Sequence, residues 1–238
     1  MTQTLRADRD DDVDDVARRS ARRVMLVVFV VGALAVGTWV VAFSSVLGAK
    51  RVVVHGAHRL SAASVRAAGA VAHGAPLVRL DTGAVAGRVE ALPDVASARV
   101  EVSYPSTVVI TIKERVAVGY LSAGDSAVLV DETGNQFRKV STAPRALPRF
   151  DLPTGAQAIP TGQAVATVAG SLTPALLAKL TSVTATGPLS ITLLLTDGRT
   201  VRWGSAERSA DKARVLPALL SRPGTSYDVS DPDVVVAR

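Results

Sequence analysis

Residues 24–47 read VMLVVFVVGALAVGTWVVAFSSVL, an apolar run with no Asp, Glu, Lys or Arg between Arg23 and Lys50. As a helix, this run extends about 36 Å, which exceeds the roughly 30 Å hydrocarbon core of a bilayer. We therefore predict a transmembrane helix over residues 24–48. The remainder of the chain must then lie on one side of a membrane.

The charges that flank this run predict its orientation. Four arginines lie within residues 18–23, whereas only Lys50 and Arg51 follow the run directly. Basic residues next to a span favour the cytoplasmic side. We expect a single-pass protein with a cytoplasmic N-terminus and an extracytoplasmic bulk. The competing interpretation, a signal peptide cleaved near Val46–Gly48, normally has a shorter apolar region.

Composition limits the classes of function on either side of this run. Residues 1–23 hold six Arg and six Asp, which predicts a disordered cytoplasmic tail. The remainder carries the whole net charge of +6, which suits either a neighbouring anionic lipid or cell-wall polymer or simply a solvated basic surface. There is no cysteine, so disulfides and thiolate metal sites are excluded. An aromatic content of 4% without a nucleic-acid-binding motif argues against DNA or RNA as a partner.

The first part of the exported chain has the pattern of a small α+β unit. A β-branched strand is predicted over residues 50–55, followed by helices that Ser61 and either Asp81 or Thr82 can cap. Apolar and polar residues then alternate over 99–104 and 107–114, which predicts two strands with one buried face. The order is strand, helix, helix, strand, strand, with helices on one face of a sheet.

The second part of the exported chain is predicted to be rich in strands, with flanking helices. Asp197-Gly198 is a strong hairpin signal between two alternating segments. A helix is predicted over Val165–Val183, with a restart at Thr173-Pro174. The last two predicted strands are Ser226–Ser230 and Val234–Arg238.

Several short motifs in this order resemble those of one family, the FtsQ/DivIB bacterial cell-division proteins of the actinobacterial type. The motifs are VVVHG at 52–56, LPDVASA at 92–98, YPSTVVITIKER at 104–115, LVDETG at 129–134 with Phe137, Leu147-Pro148, LTDGR at 195–199, and Trp203-Gly204 followed by Lys212. The resemblance covers about 50–238. It implies four parts, which are the tail 1–23, the transmembrane helix 24–48, a POTRA domain over 49–118 and an FtsQ-type β domain over 119–238.

The resemblance also implies a function. Family members are bitopic membrane scaffolds of the divisome that bind FtsB and FtsL and help to recruit and regulate septal peptidoglycan synthesis. Neither an enzymatic activity nor a cofactor is implied. The expected location is the cell membrane at the division septum.

Partner binding is expected at the end of the chain, because family members bind FtsB by strand addition to an exposed sheet edge. Such an edge presents unpaired backbone groups to a partner strand. The matching positions are Tyr227, Asp228, Val229, Ser230, Val234, Val235, Val236 and Arg238. Tyr227 is the expected aromatic anchor. Trp203 and Arg202 are secondary candidates, although a lone Trp in an alternating strand is more often a core residue.

Other kinds of site receive less support from the residues. His55, His58 and His73 are the only histidines, and without cysteine they do not complete a metal-ligand pattern. No serine lies in a nucleophile-elbow motif. Two alternatives stay open, which are a membrane-anchored cell-wall enzyme with an unrecognised site and a POTRA-type export chaperone.

Overall fold

A computed structural model describes residues 25–34, 36–37, 48–233 and 236–237. Residues 25–34 and 36–37 are helical and exposed. No helix among the described residues is both long and apolar enough to span a bilayer. Much of the predicted span 24–48 and the whole predicted tail 1–23 lie outside the described residues, so both stay predictions.

The described chain divides into two compact units. One comprises the residues up to Ala91 together with Ser97–Ile112, and the other comprises Leu92–Ala96 together with the residues from Lys113 onward. Each unit is built around its own sheet. The architecture is mixed α+β, as the sequence predicts.

The first sheet has three strands and two accompanying helices. Its elements are β1 (Arg51–His55), α1 (Ala62–Gly69), α2 (Thr82–Glu90), β2 (Val95–Ser103) and β3 (Thr107–Glu114). The strand order is β1-β3-β2, with β1 parallel to β3. A short 3₁₀ turn, Leu77–Arg79, connects the helices. This is the predicted strand-helix-helix-strand-strand order.

Local residues explain why both helices begin where they do. The Ser61 hydroxyl accepts a hydrogen bond from the Ser64 amide at 3.0 Å, and the Asp81 carboxylate accepts one from the Ala84 amide at 2.8 Å. Both are N-caps that satisfy amides without a partner in the helix. The core lies between the helices and the β3 face that carries Val108, Ile110 and Ile112. Tyr104, which the alternation places on a buried face, is instead 60% exposed.

The second sheet has nine strands in the order β12-β11-β10-β9-β8-β7-β4-β5-β6. Neighbours β11 and β10, β8 and β7, and β7 and β4 are parallel, and the other five pairs are antiparallel. The strands are β4 (Ala117–Ala123), β5 (Ser126–Asp131), β6 (Gln136–Val140), β7 (Arg149–Asp151), β8 (Leu180–Ala185), β9 (Ile191–Leu195), β10 (Thr200–Gly204), β11 (Ser226–Asp228) and β12 (Val236–Ala237).

Three helices accompany the second sheet, namely α3 (Ala158–Ser171), α4 (Pro174–Leu177) and α5 (Ser209–Leu220). Buried residues of these helices and of the central strands form one apolar core. Thr173 caps α4, with Pro174 in its first turn, so the predicted restart is confirmed. The predicted helix over Val165–Val183 extends too far, because the chain leaves it and enters β8 at Leu180.

Candidate functional site

The C-terminal end of the second sheet holds the described part of the predicted binding segment. Strand β11 pairs in parallel with β10, where Val201 lies beside Tyr227 and Arg202 beside Asp228. Strand β12 pairs antiparallel with β11, and Val236 lies opposite Asp228. Because β12 is the outermost strand of the described sheet, the backbone groups on its outer side can pair with another chain.

The core-facing side of this edge is apolar and closed. Val201, Trp203, Tyr227 and Val229 are all fully buried. Trp203 is therefore a core residue, which agrees with the interpretation favoured from the sequence. Tyr227 corrects an expectation, because its ring lies in the core and not on the surface where a partner anchor would have to be.

Hydrogen bonds from the Tyr227 hydroxyl explain its burial. The hydroxyl donates towards the carbonyl oxygens of Arg222 at 2.8 Å and Gly224 at 3.0 Å, and it accepts from Arg199 Nη1 at 3.2 Å. The Arg199 guanidinium also lies 5.6 Å from the ring centroid. These contacts give the polar tip of a buried ring its partners. Tyr227 therefore fixes β11 against the preceding loop.

The opposite side of the edge is polar. Arg202 Nη1 lies 3.7 Å from Asp228 Oδ2, and both side chains are at least one third exposed. The Ser230 amide and hydroxyl donate to Asp228 Oδ1 at 2.9 and 2.6 Å. This side of β10 and β11 therefore presents polar side chains, those of Arg202, Asp228 and Ser230.

The loop that leads into β12 is held by an ion pair that the sequence reasoning missed. Arg208 donates to the two carboxylate oxygens of Asp233 at 2.7 and 3.1 Å, and the Asp233 amide donates to Asp231 Oδ1 at 3.0 Å. The hydrogen bond from Arg208 lowers the pKa of Asp233, and the same bond raises the pKa of Arg208. The sequence Asp231-Pro232-Asp233 is a turn signal, but nothing local indicates its arginine partner.

A buried lysine of α5 is hydrogen-bonded to the backbone at the end of β10. Lys212 is 1% exposed, and its ammonium donates to the carbonyl oxygens of Trp203 at 3.0 Å and Ser205 at 2.9 Å. Burial lowers the pKa of this ammonium. The indole of Trp203 donates to the Ser209 hydroxyl at 3.1 Å. The end of β10 is thereby fixed to the start of α5.

The structure brings most of the predicted binding residues together. Tyr227–Ser230 form β11 and the residues after it, Arg202 and Trp203 lie in the adjacent strand, and Val236 begins β12. Val234, Val235 and Arg238 lie outside the described residues. Their contribution stays a prediction.

The burial of Tyr227 yields a test that separates a core role from a binding role. We expect Tyr227→Phe to lower the free energy of unfolding by about 1–2 kcal/mol, because the carbonyls that its hydroxyl contacts lose a donor. Chemical denaturation followed by circular dichroism measures this change. Partner affinity should stay unchanged while the variant is folded. A loss of affinity without a loss of stability would make Tyr227 a contact residue after all.

A cavity of about 620 Å³ lies elsewhere in the same unit. It is lined by residues of β4, β5 and β7, by the segment 133–136 and by the start of α3. Asp151 is the only ionisable residue among those lining it, and its carboxylate accepts two hydrogen bonds from Arg149, at 2.8 and 3.0 Å. No group of three or more His, Cys, Asp or Glu among the described residues could hold a metal ion. This cavity offers no catalytic dyad.

Two family models match consecutive parts of the chain. Residues 47–115 match the family model for the FtsQ-type POTRA domain, and residues 119–234 match the model for the C-terminal domain of the cell division protein FtsQ/DivIB. A solved structure of the major extracytoplasmic domain of DivIB from Geobacillus stearothermophilus is 21% identical, with a TM-score of 0.35. The match covers 44% of this chain and 91% of the DivIB chain.

Curated relatives share more of the sequence. The cell division protein FtsQ of Mycobacteroides abscessus is 38% identical over 213 residues, which are 89% of this chain and 68% of the relative. FtsQ of Mycobacterium tuberculosis is 40% identical over 81% of this chain and 61% of its own length. FtsQ of Streptomyces venezuelae is 38% identical over 89% of this chain and 82% of its own. The chain therefore belongs to the FtsQ/DivIB family of bacterial cell-division proteins.

Proposed function

We propose that this chain is a bitopic membrane scaffold of the divisome that binds FtsB, together with FtsL, by strand addition to β12. Through these partners it helps to recruit and regulate septal peptidoglycan synthesis. The observation that carries the proposal is the position of β12 as the outermost strand of the described nine-stranded sheet. An incoming strand would extend this sheet by pairing with β12. The core side chains of β10 and β11 are already buried without it.

The edge combines a rigid base with a short outer strand. Fully buried side chains hold β10 and β11, whereas the described part of β12 has two residues and pairs only with β11. A strand this short gains little from its own pairing, but a partner strand would add backbone hydrogen bonds on its free side. Each such bond contributes about 0.5–1.5 kcal/mol net. Several together suit a specific complex.

The apolar run supplies the membrane anchor in this proposal. Residues 24–48 would cross the bilayer, with the arginine-flanked N-terminus in the cytoplasm. The POTRA domain and the β domain would then face the extracytoplasmic space at the septum. FtsB and FtsL would meet β12 there, beside the machinery that builds the septal wall.

A binding titration with a proline variant tests the proposal. The full chain in lipid nanodiscs is titrated with the extracytoplasmic segments of FtsB and FtsL, and saturable binding is expected. We expect Val235→Pro to weaken binding roughly ten- to a hundredfold, since proline has no N–H to donate to a strand ladder and its ring obstructs pairing.

The opposite edge of the same sheet provides a matched control. Lys139 lies in β6, the other outermost strand, where it pairs with Val128 of β5. Lys139→Pro therefore introduces the same residue into the other edge and should leave binding unchanged. Circular dichroism checks that both variants are folded. Equal affinities for Val235→Pro and the unmodified chain would place the binding site elsewhere.

A further inference from the structure

The apolar run enters the first unit at Gly48 and Ala49, where backbone hydrogen bonds hold two chain segments side by side. The Ala49 amide donates to the Ala75 carbonyl, and the Gly74 amide donates to the Ala49 carbonyl, both at 2.8 Å. Gly48 also forms a bridge with Pro76. Residues 74–76 therefore lie directly beside the point where the run, which ends at Leu47, enters the first unit.

The turn between β2 and β3 lies at this same end. The amides of Lys50 and Arg51 both donate to the Ser106 carbonyl, at 2.8 and 3.1 Å. In the parallel pairing of β1 with β3, Arg51 lies beside Thr107. The tip of this turn, Tyr104–Ser106, therefore lies close in space to Lys50 and Arg51, which follow the apolar run.

The side chains exposed at this end have the character of a membrane interface. Tyr104 is 60% exposed and Val78 is 51% exposed. Lys50, Arg51 and Arg79 are exposed beside them. Tyrosine is enriched at the headgroup level of membranes because it has an apolar ring and a polar tip. Lysine and arginine near an anionic membrane surface are attracted to its lipids.

The acidic residues nearest in sequence leave this group with a positive net charge. Asp81, the cap of α2, carries one negative charge, and the charge of Glu101 is offset by Arg99, which lies 3.9 Å away. Together with these residues, the three exposed cations sum to +2.

We infer that the proximal surface, defined as Lys50, Arg51, Val78, Arg79 and Tyr104, binds the anionic headgroups of the bilayer that holds residues 24–48. The inference rests on the proposed membrane anchor and goes beyond it, because an anchored domain need not touch lipid. Tyr104 and Val78 lie at the headgroup level, and the three cations contact lipid phosphates. The surface thereby limits the motion of the first unit above the membrane.

The absence of cysteine makes a depth measurement direct, since a single introduced cysteine takes a nitroxide label at one position. Ala72→Cys and Ser103→Cys are exposed positions next to the proximal surface that leave its five residues intact. Leu189→Cys, at a 74% exposed position of the second unit, is the matched control. Val31→Cys reports on the anchor itself.

The labelled full chain is reconstituted into vesicles of phosphatidylcholine alone or mixed with phosphatidylglycerol, and collisions with a water-soluble nickel chelate are measured. We expect the labels at 72 and 103 to be shielded from nickel in the mixed vesicles and more accessible in phosphatidylcholine. Replacing Lys50, Arg51 and Arg79 with Gln should remove this shielding. Each of the three substitutions should lower the ratio of docked to undocked first units by roughly fivefold. The label at 189 should stay accessible throughout.

The label at 31 separates the two possible failures. If position 31 is shielded while 72 and 103 are as accessible as 189, the anchor stands and the inference is overturned. Shielding at 72 and 103 that depends on neither phosphatidylglycerol nor the three cations also overturns it. Nickel access at position 31 would overturn the membrane anchor, and the inference with it.

Discussion

Replacing Trp203 with alanine is expected to lower the free energy of unfolding of the second unit by about 3–5 kcal/mol, the usual cost of truncating a buried tryptophan. Trp203 is fully buried in β10, and its indole donates to Ser209. The substitution leaves a cavity beside β11 and removes the donor for that hydroxyl. Denaturant unfolding followed by circular dichroism measures the change.

A surface control makes this result interpretable. Leu189 is 74% exposed, so Leu189→Ala removes an apolar side chain without opening a cavity and should change stability by less than about 0.5 kcal/mol. Partner binding by Trp203→Ala should weaken only as the folded fraction falls. A folded variant of normal stability would show that Trp203 does not hold β10 in the core.

Removing Asp131 is the second large expected effect. Its carboxylate is 4% exposed, accepts from Thr133 and from the Asn135 amide through Oδ1, and pairs with Arg115 through Oδ2 at 2.5 Å. We expect Asp131→Ala to cost about 3 kcal/mol, because the Arg115 side chain, itself only 20% exposed, loses its carboxylate. The adjacent Glu132 is more than half exposed, and Glu132→Ala should cost less than about 1 kcal/mol.

The pH dependence of the Asp131 effect has a definite sign. Burial alone would raise the pKa of this carboxyl, but hydrogen bonds from Thr133, Arg115 and Asn135 outweigh burial and lower it below its ordinary value of 3.8. A carboxyl whose pKa is lower in the folded state than in the unfolded state stabilises the fold at pH values above its unfolded pKa. This stabilisation is lost as pH falls through its folded pKa. Unfolding curves of Asp131→Ala and the unmodified chain should therefore converge below about pH 4. A constant difference into strong acid would contradict this account.

Elements specified by local residues were predictable from the sequence. The caps at Ser61 and Asp81, the restart at Pro174 and the turn at Gly198 each depend on residues close in the chain. Gly198 has φ = +85°, which glycine adopts at little cost, and the Asp-Gly signal identified it. The alternation that placed Trp203 in the core is also local, because side chains change face at every residue of a strand.

Features that depend on distant contacts were not predictable. Leu180–Ala185 becomes a strand because it pairs with β7 on one side and β9 on the other, and its pattern is irregular at the register shift near Ser182. The Tyr227 hydroxyl accepts a hydrogen bond from Arg199, which is 28 residues away, and Asp233 in the loop before β12 pairs with Arg208, which is 25 residues away. No local pattern in the sequence reports such pairs.

The C-terminal segment shows the same division. Its β-branched residues indicate a strand, but only the order of strands in the sheet places that strand at an edge. The burial of the Tyr227 ring in the core is likewise seen only in the folded structure. Under the proposed strand addition, a partner would pair with the backbone of β12, and the buried ring of Tyr227 would not contact it.

The most direct measurement is amide hydrogen exchange at β12 in the full chain, with and without the extracytoplasmic segment of FtsB. Strand addition predicts slower exchange in β12 once FtsB is bound, because whichever of the Val236 and Ala237 amides points away from β11 gains an acceptor. The amides of Gln136–Val140 in the opposite edge strand should be unchanged. Exchange at β12 that stays the same at saturating FtsB, or slowing confined to β6, would contradict the proposal that this chain recruits its partner through its last strand.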